Sequence, residues 1–184
     1  MASVLVPLAP GFEELEAVTI IDLLVRAGVE VTSAGLAPGT INASRGVVIQ
    51  PDITLDEALT RSFDMVVLPG GLPGADHLND DLRIQNLLKT MAAQGKYTAA
   101  ICAAPKVLAN LGLLDGKSAT SYPGSLDQTD CSNIQINQQS VVIDGNVITS
   151  RGPGTAMAFA LTLIEILVGK GKRDEVAKGL LYDH

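Results

Sequence analysis

Short apolar runs at residues 4–8, 29–34, 65–68 and 97–101 alternate with stretches whose apolar residues recur at helical spacing, and this alternation most restricts the fold. The first run meets Pro10-Gly11 and then Glu13-Glu14, an acidic pair suited to the positive end of a helix. Leu15, Val18, Ile21 and Val25 carry the helical spacing on to Ala27, and Gly28 stops it. Strand, helix and strand joined this tightly make a right-handed parallel βαβ unit. Aromatic residues are only 3% of the chain and Trp is absent, so the core is aliphatic, as in a sheet covered by helices on both faces. The expected fold is α/β with a mostly parallel central sheet, and residues 1–184 read as a single domain.

Further along, Ser44-Arg45-Gly46 reads as a turn feeding a strand at 47–49, an excursion from the main sheet. A helix is expected from Asp80 or Asp81 to Ala93, burying Leu87, Leu88 and Met91. Asp144-Gly145, between 141–143 and 147–149, signals a hairpin, and helices are expected over 155–168 and 173–181. In an open parallel sheet, ligands bind beyond the carboxyl ends of the strands. The loops 10–16, 69–74 and 101–105 fall there together.

The third of these loops carries the strongest chemical signal. The run Tyr97-Thr98-Ala99-Ala100-Ile101 stops at Cys102, Ala103 and Ala104 follow, and Pro105 opens a helix ending near Leu111. That is the shape of a nucleophile elbow with cysteine as the nucleophile. Backbone N–H groups and the helix dipole there are expected to favour a thiolate and lower the pKa. The N–H of Ala103, with one from Gly71 in the loop Pro69-Gly70-Gly71, is positioned to cradle an oxyanion. Glu13, Glu14 and Glu16 lie at the start of the first helix, and spacing alone does not choose among them. Glu16 is on the side expected to face the crevice, whereas Glu13 and Glu14 read as solvated carboxylates. A carboxyl beside a thiolate is pushed toward its protonated form.

Other chemistries find little support. A formal net charge of −7 argues against a nucleic-acid partner, which needs a basic patch. The apolar stretch 156–168 contains Glu165 and is too short to span a bilayer, and residues 1–6 read as a strand rather than a signal peptide, so a cytoplasmic soluble protein is expected. Cys102 and Cys131 make neither a disulfide scaffold nor a metal spacing, and Cys131 reads as a loop residue. His77 reads as a residue on a helix surface and His184 ends the chain, so neither is placed as a base for Cys102. Gly116-Lys117-Ser118 resembles the end of a phosphate loop, but Leu111 stands where its first glycine belongs. With no G-x-G-x-x-G after the first strand a dinucleotide is not expected, and with no metal-ligand spacing neither is a metal cofactor.

Several motifs, in order, resemble the ThiJ/PfpI superfamily, specifically its branch containing the parkinsonism-associated protein deglycase. They are Gly11-Phe12-Glu13-Glu14-Leu15-Glu16, Arg26-Ala27-Gly28, Ser44-Arg45, Val67-Leu68-Pro69-Gly70-Gly71, Ala99-Ala100-Ile101-Cys102-Ala103 and Thr149-Ser150-Arg151-Gly152-Pro153-Gly154-Thr155. The resemblance implies a flavodoxin-like three-layer sandwich, a homodimer, a reactive cysteine at Cys102 and a protonated glutamate at Glu16. It further implies backbone donors at Gly71 and Ala103 beside Gly70, and arginines near the site or the dimer interface at Arg26 and Arg45. Where some members carry a histidine after the elbow helix, this chain has Tyr122, which weighs against a Cys-His-Asp/Glu triad. The activity implied is glyoxalase III-like or deglycase-like, on methylglyoxal-type α-oxoaldehydes or their protein adducts. An oxidative-stress sensor or redox-regulated chaperone using the same cysteine is the alternative, and a cysteine peptidase or amidase the third reading.

Overall fold

A computed structural model describes residues 1–127, 129 and 132–182. Its strands are β1 (Ser3–Leu8), β2 (Glu30–Gly35), β3 (Ile41–Asn42), β4 (Val48–Ile49), β5 (Ile53–Thr54), β6 (Met65–Leu68), β7 (Tyr97–Ile101), β8 (Ser118–Ala119), β9 (Gln135–Ile136), β10 (Val141–Asp144) and β11 (Val147–Ser150). The helices are α1 (Glu14–Arg26), α2 (Leu55–Ala58), α3 (Gly74–Asp80), α4 (Leu82–Ala93), α5 (Pro105–Asn110), α6 (Ala156–Val168) and α7 (Lys170–Gly179). Seven strands form the central sheet in the order β10-β11-β7-β6-β1-β2-β5, and all neighbours are parallel except the β10–β11 hairpin at one edge. The inner order β2-β1-β6-β7-β11 is that of a flavodoxin-like doubly wound sheet.

Alternation along each strand builds two cores. Val4, Val6, Leu8, Met65, Val67, Ala99 and Ile101 face one side, where they pack with Ile20 and Leu24 of α1 and Phe159 and Leu163 of α6. Leu5, Val66, Leu68 and Ala100 face the other, against Leu78 of α3, Ile84 and Leu88 of α4 and Leu108 of α5. Two buried faces explain why the strands read as unbroken apolar runs. Among the described residues no helix is long and apolar enough to cross a membrane.

The excursion after β2 is a two-stranded antiparallel ribbon, β3 with β4, outside the main sheet. Several short elements are not marked by the sequence. The strands β3 and β5, the helices α2 and α3 and the β8–β9 pair span too few residues for periodicity to reveal them. Asp81 belongs to the cap of α4, where its side chain accepts from the N–H of Arg83 at 2.8 Å. Leu88 and Met91 are buried as expected, Leu87 only half so.

The apolar stripe on α1 is the larger surprise. Leu15, Val18 and Val25 are 51%, 47% and 56% exposed, and the buried face is Ala17, Ile20, Leu23 and Leu24. Helical periodicity identifies a helix but not which of two apolar faces meets the sheet. Glu13 and Glu14 differ from expectation too, for both are buried rather than solvated. The hydroxyl of Ser44 donates to Glu13 at 2.9 Å and to Glu14 at 3.1 Å, and the N–H of Arg45 donates to Glu14 at 2.9 Å. Partial burial pushes Glu14 up, but its own N–H, the Ser44 hydroxyl and the N–H groups of Val47 and Arg45 hold it below the usual carboxylate range. These two carboxylates fasten the ribbon loop to the start of α1.

Candidate active site

At the carboxyl ends of β1, β6, β7 and β11 the chain brings together Glu16, Gly70, Gly71, Cys102 and Gly152. This is where the strand order reverses, with α1 crossing from β1 to β2 on one side and β6 and β7 following on the other. Cys102 ends β7 with a φ of 63°, the left-handed region that costs a non-glycine residue about 1–2 kcal/mol. The conformation is held on two sides. Its N–H donates to the carbonyl of Ser150 at 3.0 Å, and its carbonyl accepts from the N–H of Tyr122 at 2.9 Å. Such a strained corner is what a nucleophile elbow requires, since it lifts the side chain off the sheet.

Glu16 lies in the first turns of α1 and is fully buried. Its Oε2 accepts from the N–H of Gly70 at 2.8 Å, and the carbonyl of Gly70 accepts from the N–H of Glu13 at 2.9 Å. Gly70 is thus clamped to the start of α1 through both backbone groups. A Cβ there would lie 2.6 Å from the Cβ of Cys102 and 2.9 Å from Oε2 of Glu16, so only glycine allows the thiol and the carboxyl to meet. Oε1 of Glu16 is buried without a protein partner.

Burial, more than any other influence, pushes Glu16 up to about 7; the Gly70 N–H and the Cys102 thiol pull it down, and Glu13 adds a small push upward. Burial also dominates at Cys102, which is 9% exposed. Burial, the charge of Glu16 and their hydrogen bond push it up to about 12 against the N–H groups of Gly71 and Ala103. The sequence expectation of a lowered thiol pKa therefore omits the two strongest influences on it. The two groups titrate as a pair. When Glu16 holds the shared proton, its charge no longer opposes the thiolate and both N–H groups remain on the sulfur.

This arrangement sets a pH dependence. A carboxyl raised from 4.5 to about 7 binds a proton in the folded state that the unfolded chain has released, so its contribution to stability is present below pH 4.5 and lost as pH rises to about 7. Urea unfolding midpoints at pH 5 and pH 7 should fall further in wild type than in Glu16→Gln, which keeps the shape without the titration.

The remaining candidates are scattered. Tyr122 follows the elbow, and its ring carbon Cδ2 lies 3.2 Å from where a Cβ on Gly152 would stand. Arg26 is at the far end of α1, ten residues or about 15 Å beyond Glu16, and pairs with Asp22 at 2.7 Å. It is not part of the Cys102 site in this chain, because a straight helix cannot bring both its ends there. Arg45 meets Glu14 through its backbone, with its side chain exposed. His77 sits exposed on α3 with Nδ1 3.0 Å from the carbonyl of Pro10. His184 and Cys131 lie outside the described residues. Among those residues no cluster of His, Cys, Asp and Glu forms a metal site. Gly152 and Ser150 were missed as site residues, although their motif was visible, because only the packing of β11 beside β7 brings them to Cys102.

A doubly wound sheet with a strained cysteine elbow facing a buried glutamate defines a class of α/β proteins, and among the described residues no histidine pairs with that cysteine. Within it, the DJ-1/PfpI family model matches residues 2–166, and the chain belongs to that family. It is 49% identical to Protein dj-1beta of Drosophila melanogaster over 180 residues, covering 97% of this chain and 96% of that protein. The crystal structure of Drosophila DJ-1beta superposes with a TM-score of 0.95 at 48% identity, covering 100% of this chain and 99% of that one. The oxidized form of Toxoplasma gondii DJ-1 gives a TM-score of 0.94 at 40% identity, with both chains fully covered. A glutathione-independent glyoxalase of Caenorhabditis elegans, DJR-1.2, is 36% identical over 168 residues, 91% of this chain and 89% of that protein.

Proposed function

We propose that this chain is a glutathione-independent glyoxalase, acting on methylglyoxal-type α-oxoaldehydes through Cys102 and Glu16. The observation that carries the reading is the buried thiol–carboxyl pair, with the N–H groups of Gly71 and Ala103 near enough to the thiol to favour its ionised form. The relative named as a glutathione-independent glyoxalase supports the reaction class.

The chemistry begins with the Cys102 thiolate adding to the aldehyde carbon of methylglyoxal. A carbon–sulfur bond forms, and the carbonyl electron pair moves to oxygen. The Gly71 and Ala103 N–H groups steady that oxygen while it takes the proton from Glu16, giving a hemithioacetal. Glu16, now a carboxylate, removes the remaining hydrogen on that carbon as a proton, and the electron pair moves to the ketone oxygen. That oxygen takes the proton from Glu16 to give an enediol. Glu16 then takes the proton of the hydroxyl on the sulfur-bearing carbon and delivers it to the neighbouring carbon, so that a carbonyl re-forms beside the sulfur. The product is a thioester, which water cleaves to lactate and free Cys102. Aldehyde adducts on protein side chains reach the same hemithioacetal once the side-chain amine or thiol leaves and the aldehyde carbonyl is restored, which is the basis of a deglycase variant of this reading. No cofactor is needed at any point.

Two wider features belong to the proposal. The outward stripe of Leu15, Val18 and Val25, with exposed Val47 and Val48 on the adjoining ribbon, is an apolar surface suited to a homodimer, which sedimentation equilibrium would detect. A thiol chemistry of this kind also needs a reducing compartment, consistent with residence in the cytoplasm.

The test is incubation with methylglyoxal and no glutathione, with and without prior alkylation of Cys102. Lactate should accumulate, and alkylation confirmed at Cys102 by peptide mapping should stop it. Lactate formation that survives complete alkylation would overturn the reading. A second reading, oxidation sensing at Cys102, is favoured by the oxidized state of the Toxoplasma gondii relative. It requires that peroxide give one stable sulfinate at Cys102 and change the aggregation of a client protein.

A further inference from the structure

Beside the elbow lies a depression of about 290 Å³ walled by Tyr122 and by the turn that includes Arg151, Gly152 and Thr155. It adjoins the reactive atom through one of its lining residues, since a Cβ on Gly152 would stand 4.0 Å from Sγ of Cys102. The turn is fixed to the elbow by its own bonds. Ser150 accepts from the N–H of Cys102 through its carbonyl, and its hydroxyl meets that of Thr155 at 2.7 Å. Thr155 in turn accepts from the N–H of Gly152 at 3.1 Å and donates its own N–H to the carbonyl of Gly152 at 2.9 Å. The backbone of Arg151 therefore stands in a set place relative to the sulfur.

Arg151 is the one charged side chain among the described residues that line this depression, and no carboxylate among them pairs with it. Its guanidinium has only a long 3.5 Å bond to the carbonyl of Gln138. Of the other arginines, Arg26, Arg83 and Arg173 are paired with acids, while Arg45 and Arg61, which have no ion pair among the described residues, do not line this depression. In a chain with a net charge of −7, a half-buried guanidinium left without a carboxylate at the mouth of a cysteine pocket has its fork of donors available to a ligand. One cation matches one negative charge, which fits a carboxylate better than a phosphate monoester.

We propose that Arg151 is a specificity-determining residue that holds a carboxylate on the compound Cys102 attacks, so that the preferred substrates are α-oxoaldehydes bearing a carboxylate, such as 4,5-dioxopentanoate. This rests on the glyoxalase reading for the turnover of that compound, which with one water gives 2-hydroxyglutarate. It does not rest on that reading for the binding of the anion.

The experiment has two arms, using wild type, Arg151→Ala and Arg151→Lys. In the first, Cys102 is alkylated by iodoacetate and by iodoacetamide, reagents of similar size that differ in charge, with modification followed at the Cys102 peptide. Arg151→Ala should lower the iodoacetate-to-iodoacetamide rate ratio about tenfold, the weight of one charge-assisted hydrogen bond, and Arg151→Lys should retain most of it. In the second arm, Arg151→Ala should lower the kcat/KM ratio of 4,5-dioxopentanoate to methylglyoxal by a similar factor, chiefly through KM. An alkylation ratio unchanged in Arg151→Ala, or both reagents slowed equally, would overturn the inference. A ratio that depends on Arg151 while wild type turns over neither aldehyde would sustain the anion site and remove the glyoxalase.

Discussion

Cys102→Ser is expected to lower kcat/KM for methylglyoxal by about a thousandfold or more, roughly 4 kcal/mol of transition-state stabilisation. A serine hydroxyl is a far weaker acid than a thiol, and no base among the described residues at this elbow ionises it. The described histidine, His77, is exposed on α3 and bonded to Pro10, and the proposed role of Glu16 is to carry the proton for a thiol. Glu16→Gln should lose about a hundredfold or more while the fold is kept, because the amide still accepts from Gly70 but cannot move a proton. Initial rates of lactate formation for the three proteins, with far-ultraviolet circular dichroism as the folding control, decide the matter. Equal residual rates in all three would remove both residues from the chemistry.

The second large effect is structural. Gly71→Ala should lower the free energy of unfolding by about 3 kcal/mol or more, from left-handed strain together with crowding. Gly71 has a φ of +86°, and a Cβ on it would stand 2.4 Å from the N of Glu13 and 2.7 Å from the carbonyl oxygen of Gly11. Both are backbone atoms, so no side chain can swing aside. Gly28→Ala separates the two causes. Its φ of +77° is similar, but nothing lies within 4 Å of the added carbon, so strain alone remains and the expected loss is about 1–2 kcal/mol. Urea unfolding of both variants measures the difference. Any Gly71→Ala protein that folds should also be slow with methylglyoxal, because the Gly71 N–H will have moved from the sulfur.

The same crowding explains part of what could be read beforehand. Gly70-Gly71 after an apolar strand, and Cys102-Ala103-Ala104-Pro105 after another, mark sharp backbone turns whatever the rest of the chain does. Position in an alternating strand–helix order then puts those turns at one end of a parallel sheet. The choice among Glu13, Glu14 and Glu16 was of another kind. All three suit a helix start, but Glu13 is the cap residue with extended backbone before the helix, and Glu14 and Glu16, two apart on it, point in different directions. Glu16 faces Cys102, while Glu13 and Glu14 face Ser44. Family resemblance selected Glu16, and the packing of α1 supplies the reason. The resemblance also suggested Arg26 as a residue near the site or the dimer interface, and the length of that same helix takes it away from Cys102.

Local and periodic features follow from the order of residues alone. The apolar runs define strands of a doubly covered sheet, the proline after the cysteine defines an elbow, and the glycines define where backbone must turn. Tertiary structure alone decided which face of α1 is buried and which carboxyl meets the thiol. It also decided that burial raises both groups, and that the turn carrying Arg151 and Gly152 closes one side of the site. Those outcomes depend on segments far apart in the chain meeting at specific distances. A helical or strand period is the same whichever way its element is turned, so only packing fixes the direction.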